Sequence, residues 1–470
     1  MQLFFAQPLE LRMLVVFLFG LALGAKANWA IYRLAWNPRE ISPWGPTPAT
    51  APPRKATDRI PVLGWFGLRR EHAIHGRGFW IRPLAIELAM AAGLVVLYRW
   101  EFEQQALVAP QLKELFRLAG GGPIAIAVPR VSDGLLHAVF LSQVALITLM
   151  VAASFIDIDE KIIPDEITIP GTLLGLLLAT LMPQSLLPHV AVRNSPPVVG
   201  ELIGAPPVAD GAAIYIEPLT AAAPNAWPAM FAAAPNWSSL MLAQACWWLW
   251  VFALAPRVWR GRHGAGRAVS LLCRRVLREI LRPPLAVIAW PGSVAIAAIW
   301  WWGGAAWVGL LSALIGMVIA GGMVWAVRIV GTAALQREAM GFGDVTLMMM
   351  VGTFLGWQAS VIIFFIAPFA GLMVGALLLL LRRGDVIPYG PFLCLGSLVV
   401  AVRWPDFWSL NVQDVFHFGW LIAVVLLASF VLLGVMLAIW QQIKIRLFGG
   451  GELDEEDDDG LGQREHREHE

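Results

Sequence analysis

The chain has 470 residues, of which 58% are hydrophobic and only 14% charged, with a mean hydropathy of +0.67. Soluble domains are about half apolar and one-quarter charged, so this composition excludes an ordinary soluble protein and points to a membrane protein. A net charge of +1 gives no sign of nucleic-acid binding, and the informative feature is how unevenly the charges are spread.

An apolar run of about 20 residues crosses a bilayer as a helix, because only a helix satisfies every backbone group where there is no water. The runs predict about 11 spans. They cover 11–32, 83–99, 136–156, 167–183, 237–256, 284–302, 305–328, 346–366, 367–381, 389–402 and 417–440. The expected class is an all-α polytopic membrane protein, a helical bundle of about 8 to 11 transmembrane helices. The first run, from Leu11 to about Trp36, is too long for a signal peptide and lacks an Ala-x-Ala site before a polar start, so it is expected to be a retained span.

Orientation follows from Lys and Arg bias in the loops. Residues 33–82 carry Arg33, Arg39, Arg54, Lys55, Arg59, Arg69, Arg70, Arg77 and Arg82 against the acids Glu40, Asp58 and Glu71, which predicts a basic cytoplasmic domain. The loop 257–283, with eight Arg against the single acid Glu279, falls on the same side. Its stretch "RAVSLLCRRVLREILRPP" suits either an amphipathic surface helix on anionic lipid or a plain positive-inside anchor. Between the fourth and fifth spans, 184–236 is rich in Pro and Ala and nearly free of positive charge. It is expected on the extracytoplasmic face as a loosely structured insert, since prolines interrupt both helices and sheet ladders. The tail 446–470, ending "GELDEEDDDGLGQREHREHE", has no apolar periodicity and is expected to be a disordered cytoplasmic end. Cys246, Cys273 and Cys394 have no CxxC spacing and are expected to be inert thiols.

With that topology, two groups of acids reach one membrane edge. The third span ends in "VAASFIDIDEKIIPDEITIPG", placing Asp157 at its cytoplasmic end and Asp159, Glu160 and Asp165 just beyond. The stretch "REAMGFGDVTLMMM" places Asp344 at the same edge, opening the eighth span. A carboxylate at the edge of a hydrocarbon slab is costly unless it has a partner or a task. Two carboxyls held close share a proton, so one can activate a water as base while the other donates to a carbonyl oxygen. The glycines Gly341 and Gly343, flanking Phe342, are expected to supply unusual backbone conformations and room for a peptide main chain. Acids at span ends also serve as caps, as solvated groups or as partners of Arg, so the residues alone leave both readings open. Asp165, following Pro164, suits a capping role.

The motifs resemble those of the type IV prepilin peptidases. "FIDIDEKIIPDEITIPGTLLGLLL" looks like the family's first aspartate motif, and "MGFGDVTLMMMVGTFLGW" like its GxGD motif and following helix. "VIPYGPFLCLG", "LALGAKANWAIYRLAW" and "DRIPVLGWFGLRREHAIHGRGFWIRPLAIELAMA" resemble further segments in the family's order. The resemblance implies an aspartic endopeptidase of the bacterial inner membrane with catalytic Asp157 and Asp344. It would cut the basic leader from prepilin-like or pseudopilin precursors at the cytoplasmic face, with no cofactor for proteolysis. Some members also methylate the new N-terminus with S-adenosylmethionine.

Departures from the family pattern concern the cytoplasmic domain. Many members carry two CxxC pairs there, a zinc arrangement; here the first region reads "ISPWGPTPATAPP", and His72 and His75 replace the second pair. Two imidazoles lack the ligands of a closed zinc site, so no metal is expected. Packing of Trp44, Trp65, Phe66, Phe79 and Trp80 is the expected substitute. Thr346 stands where the family usually has Lys. The alternatives are a related GxGD peptidase with another membrane substrate, or a proton-coupled transporter using the same two acids. A transporter would keep its acids near the midplane and would show paired broken helices, neither of which the sequence offers.

Overall fold

The computed structural model describes residues 7–120, 130–204, 212–225, 236–255, 278, 281–283, 285–335, 340–380, 388–408 and 410–448. The acidic tail from 449 and most of the Arg-rich loop 257–283 lie outside the described residues. The long helices are α1 (Leu9–Arg33), α2 (Ile81–Phe102), α3 (Asp133–Glu160) and α4 (Asp165–Leu181). Strands β1 (Pro188–Arg193), β2 (Glu201–Gly204) and β3 (Ala213–Pro218) follow. Then come α5 (Trp237–Leu254), α6 (Leu285–Trp302), α7 (Gly304–Leu335), α8 (Phe342–Leu380), α9 (Gly390–Val402) and α10 (Gly419–Phe448). Among the described residues eight helices are long and apolar enough to cross a membrane, and α4 and α9 are shorter apolar helices. The protein is an all-α polytopic membrane protein carrying one small sheet.

Two compact units are present: Met1–Met323 with Gly343–His417, and Val324–Phe342 with Phe418–Glu470. In the smaller unit, Gly434 meets Val330 on the end of α7, and Gln441 donates to the Leu335 carbonyl at 3.4 Å. The larger unit holds the paired acids.

Small residues decide how its helices pack. Without a hydrophobic drive between helices in lipid, close backbone approach at Gly and Ala supplies the contact. Helix α1 lies antiparallel on α2, with Gly20 against Ala91 and Gly24 against Glu87. Further along, Asn28 donates to the Pro83 carbonyl at 2.9 Å and to Glu87 at 3.2 Å. Helix α4 runs parallel to the first part of α8, Gly171 meeting Met350 and Gly175 meeting Thr353 and Phe354. Helix α7 runs antiparallel to that part, Gly309 touching the Ala179 carbonyl, Gly316 the Gly352 carbonyl, and Gly321 the Met349 side chain.

The predicted division between 346–366 and 367–381 is wrong. The break falls at Gly356, whose φ of 81° and ψ of 171° are non-helical, while Pro368 stays inside the helix. Proline can be tolerated within a membrane helix, whereas left-handed φ is open mainly to glycine. Beyond the break the chain runs antiparallel to α9, Ala367 facing Gly396 and Gly371 facing Phe392.

The insert also departs from expectation, because its strands β1, β2 and β3 form a sheet of order β1-β3-β2, antiparallel throughout. Its prolines sit where they cost little: Pro188 opens β1 and Pro218 closes β3. Indole and amide donors from the bundle bind its backbone. Trp404 donates to the Pro188 carbonyl at 2.8 Å, Trp357 to Ala221 at 2.8 Å, and Gln358 to Thr220 at 2.7 Å. Trp408 donates to His189 Nδ1 at 3.0 Å. Burial, with Arg193 and His417 adding to it, pushes the His189 imidazole down to about 3, which leaves Nδ1 free to accept.

At the α7–α8 crossing a Cβ on Gly316 would strike the backbone of Gly352, which cannot move aside cheaply. Gly316→Val is expected to cost about 1–3 kcal/mol through overpacking. The check is the thermal midpoint in detergent; an unchanged midpoint would mean that the helices do not meet there.

Candidate active site

Asp157 lies in the last turn of α3, and Asp344 in the first turn of α8. Helix α3 ends because Lys161 turns left-handed, at φ 57°, while its N–H closes on the Asp157 carbonyl at 2.7 Å. The linker then brings Ile163 against Gly343, where a Cβ would stand 2.9 Å from the Ile163 side chain. This contact sets the start of α8 beside the end of α3. Both carboxyl groups are buried, Asp157 to 4% exposure and Asp344 to 7%, and they are close enough to act on each other electrostatically.

Helix α9 closes the site. The Gly390 N–H is turned to the Asp157 carboxyl, and a Cβ at Gly390 would overlap Asp157 Oδ2 and press on Ile163. Tyr389 and Cys394, from the same end of α9, lie within the field of Asp344, and Cys394 also within that of Asp157. Asp157 Oδ2 keeps no hydrogen-bond partner. Among the described residues no Lys or Arg pairs with either aspartate.

The other expected site residues have different surroundings. Asp159 is held by Arg82 at 2.8 and 2.9 Å, with Arg39 at 3.7 Å, so it is a partner of Arg. Glu160 accepts from the backbone N–H groups of Trp36 and Asn37, at 2.5 and 2.9 Å. These contacts put the basic segment 33–82 at the same end of the unit as Asp157. Asp165 makes no side-chain cap: Pro164 is the N-cap, and Asp165, exposed at the first helical position, offers only charge to the helix N-terminus.

Gly343 does not take the unusual backbone conformation that was expected of it. Gly343 is helical, and its missing side chain makes room for Ile163 of this chain. Phe342 opens α8 and carries the Arg328 guanidinium over its ring at 5.4 Å within the smaller unit. Thr346 is buried and donates to the Gly343 carbonyl at 3.0 Å, so it braces the first turn of α8. Sequence reasoning missed Gly390 and Tyr389. The available signal was the "YGP" in "VIPYGPFLCLG", whose relation to Asp157 depends on folding.

His72 and His75 do not build a metal site. His72 Nδ1 lies 3.1 Å from the Arg69 carbonyl, and His75 Nε2 lies 3.3 Å from Glu71 without hydrogen-bond geometry. Among the described residues no group of three potential ligands converges. The residues present therefore do not fit zinc.

Comparison with known proteins gives a partial match. The type IV leader peptidase family matches residues 144–193 and 278–376, and each block contains one of the paired aspartates. A prepilin leader peptidase/N-methyltransferase of Pseudomonas putida is 32% identical over 111 residues, 23% of this chain and 38% of the relative. One from Aeromonas hydrophila is 31% identical over 100 residues, covering 21% of this chain and 33% of the relative. One from Escherichia coli K12 is 32% identical over 94 residues, covering 20% and 42%. The chain thus spans less than half the length of these curated relatives. No solved structure matches it.

The Gly390–Asp157 contact can be tested without reference to activity. Gly390→Ala is expected to destabilise the protein, and Asp157→Ala in the same chain to recover part of the loss by making room. A coupling of about 0.5–3 kcal/mol between the two substitutions is the expected reading from thermal midpoints. Strict additivity would remove the contact.

Proposed function

We propose that this protein is a membrane aspartic endopeptidase that removes the basic leader of prepilin-like or pseudopilin-like precursors at the cytoplasmic face. The observation that carries the reading is the electrostatic proximity of two buried carboxyls, Asp157 and Asp344, unpaired with any Lys or Arg among the described residues and drawn one from each block matched by the leader peptidase family. The basic segment at the same end supports a cytoplasmic position, since Lys and Arg collect on that side.

Two carboxyls so placed cannot both ionise cheaply and hold one proton between them. The ionised member takes a proton from water, whose oxygen attacks the scissile carbonyl. The protonated member donates to the carbonyl oxygen, giving a neutral tetrahedral diol. Collapse of that diol breaks the C–N bond, with a proton passing to the departing amine and the pair returning to its singly protonated state. The unpartnered Asp157 Oδ2 is a suitable acceptor for that water. The scissile peptide must be unwound, because a helix hides its carbonyls in its own hydrogen bonds.

N-methylation is left out of this reading. The segment 33–82, with which the resemblance associates it, lies outside both matched blocks. A transporter role is disfavoured because the acids sit at helix ends on one side of the unit, not at mid-helix.

Asp157→Asn and Asp344→Asn are each expected to lower cleavage of a co-expressed prepilin-like precursor by about 10²–10⁴-fold or more, with membrane insertion intact. Asp159→Asn, which loses only an Arg partner, is expected to retain cleavage within a few-fold. Full processing by either of the first two variants would remove that residue from the pair, and failure of the unaltered protein to cut would remove the substrate assignment. The wild-type rate is expected to follow a bell-shaped pH profile with two limbs belonging to the pair, and a single-limbed profile would oppose the shared-proton mechanism.

A further inference from the structure

The basic segment between α1 and α2 raises a problem of cohesion. It contains short helices at Ala56–Arg59, Leu63–Leu68, Arg69–Glu71 and His72–His75, and has no cysteine and no converging metal ligands among the described residues. Segments of this size and irregularity rarely hold by apolar burial alone and usually need a cross-link. Two guanidinium groups occupy the place a cross-link would take.

The Arg54 side chain is only 6% exposed and that of its partner Glu71 0%. The pair is bidentate, with Arg54 Nε to Glu71 Oε1 at 3.0 Å and Nη2 to Oε2 at 2.9 Å. The same guanidinium donates to the Ser42 carbonyl through Nη1 and to the Glu40 carbonyl through Nη2, both at 2.6 Å. One side chain therefore ties together three separate stretches, near residues 41, 54 and 71. Arg70 makes a second fork onto Asp58, at 3.1 and 2.5 Å, and also donates to the Gly67 carbonyl at 2.9 Å. Asp58 accepts as well from the Lys55 N–H at 2.6 Å.

A third carboxylate docks the segment on the helices. Glu87 of α2 accepts from the Val62 N–H at 2.5 Å, from Trp65 Nε1 at 2.9 Å and from Asn28 of α1 at 3.2 Å. We infer that residues 34–80 are closed by a metal-free clasp, in which the Arg54–Glu71 and Arg70–Asp58 forks do the cross-linking that zinc does in thiolate-bearing domains, with Glu87 as its anchor. Chemically the exchange is direct: a tetrahedral cation joins anionic ligands from distant positions, and a planar five-donor guanidinium can do the same for carboxylates and carbonyls. A cation seeking Glu71 would have to displace Arg54 from both oxygens. The hydrogen bond from Arg70 holds the Asp58 carboxyl below its usual range, so this fork is complete above the unfolded Asp value and is lost only as the pH falls through the lower, folded one.

The inference is independent of the proposed peptidase activity and can be read in a chain carrying Asp157→Asn. The full-length protein in nanodiscs would be followed by hydrogen exchange over 40–71, with zinc content measured by mass spectrometry after treatment with EDTA. Exchange within twofold of the untreated protein and far less than one zinc per chain are expected. Glu71→Gln is expected to speed exchange over 40–46 at least tenfold, and Arg54→Lys, which keeps the charge but loses the fork, by less. Arg54→Met combined with Glu71→Gln should cost less than the sum of the two, because each single change leaves a buried charge without its partner. One zinc per chain whose removal opens the segment would overturn the clasp. Unchanged exchange in Glu71→Gln would also overturn it. If Glu71→Gln fails to insert, Arg54→Lys and Asp58→Asn carry the same test, and wild-type protection in both overturns the inference.

Discussion

Close backbone contact at glycine is the constraint on which the larger unit depends. Gly316 and Gly352 bring α7 and the first part of α8 together, Gly171 and Gly175 bring in α4, and Gly343 lets Ile163 reach the start of α8. In lipid, surface that is merely apolar gives helices no reason to associate, so these contacts set register as well as proximity. Asp344 reaches Asp157 because α8 is held at that height.

The other end of the same helices is fixed by polar groups. Trp357, Gln358 and Trp404 donate to carbonyls of the insert, and the break at Gly356 lies beside Leu219 of that insert. Helix α9 spans the two ends, with Gly390 at Asp157 and Trp404, just beyond its last residue, at Pro188.

Buried ion pairs are an expensive way to hold a segment together, since desolvation offsets much of their attraction. The forks at Arg54 and Arg70 meet that cost with bidentate geometry and extra carbonyl acceptors. What they add is position: a guanidinium fork accepts few alternative partners, so it specifies which turns lie side by side.

Composition and apolar run length were sufficient for the class, the approximate spans and the two aspartate segments, because each of these depends on local hydrophobicity or on a short motif. The residues at 157 and 344 could be singled out as acids at the edge of apolar runs. Their electrostatic proximity, the role of Gly390 and the assignment of Asp159 to Arg82 came only from the fold, since they join residues far apart in the chain. The helix break at Gly356 and the three-stranded sheet of the insert were misread because apolar run length cannot reveal a left-handed residue, and proline content cannot reveal that prolines stand at strand ends. The arginine forks were not legible in the sequence for a related reason. Charge count alone made 33–82 a basic loop, and only tertiary structure turned Arg54 inward onto the buried Glu71, where the absence of water makes pairing obligatory, and laid the part-exposed Arg70 on Asp58.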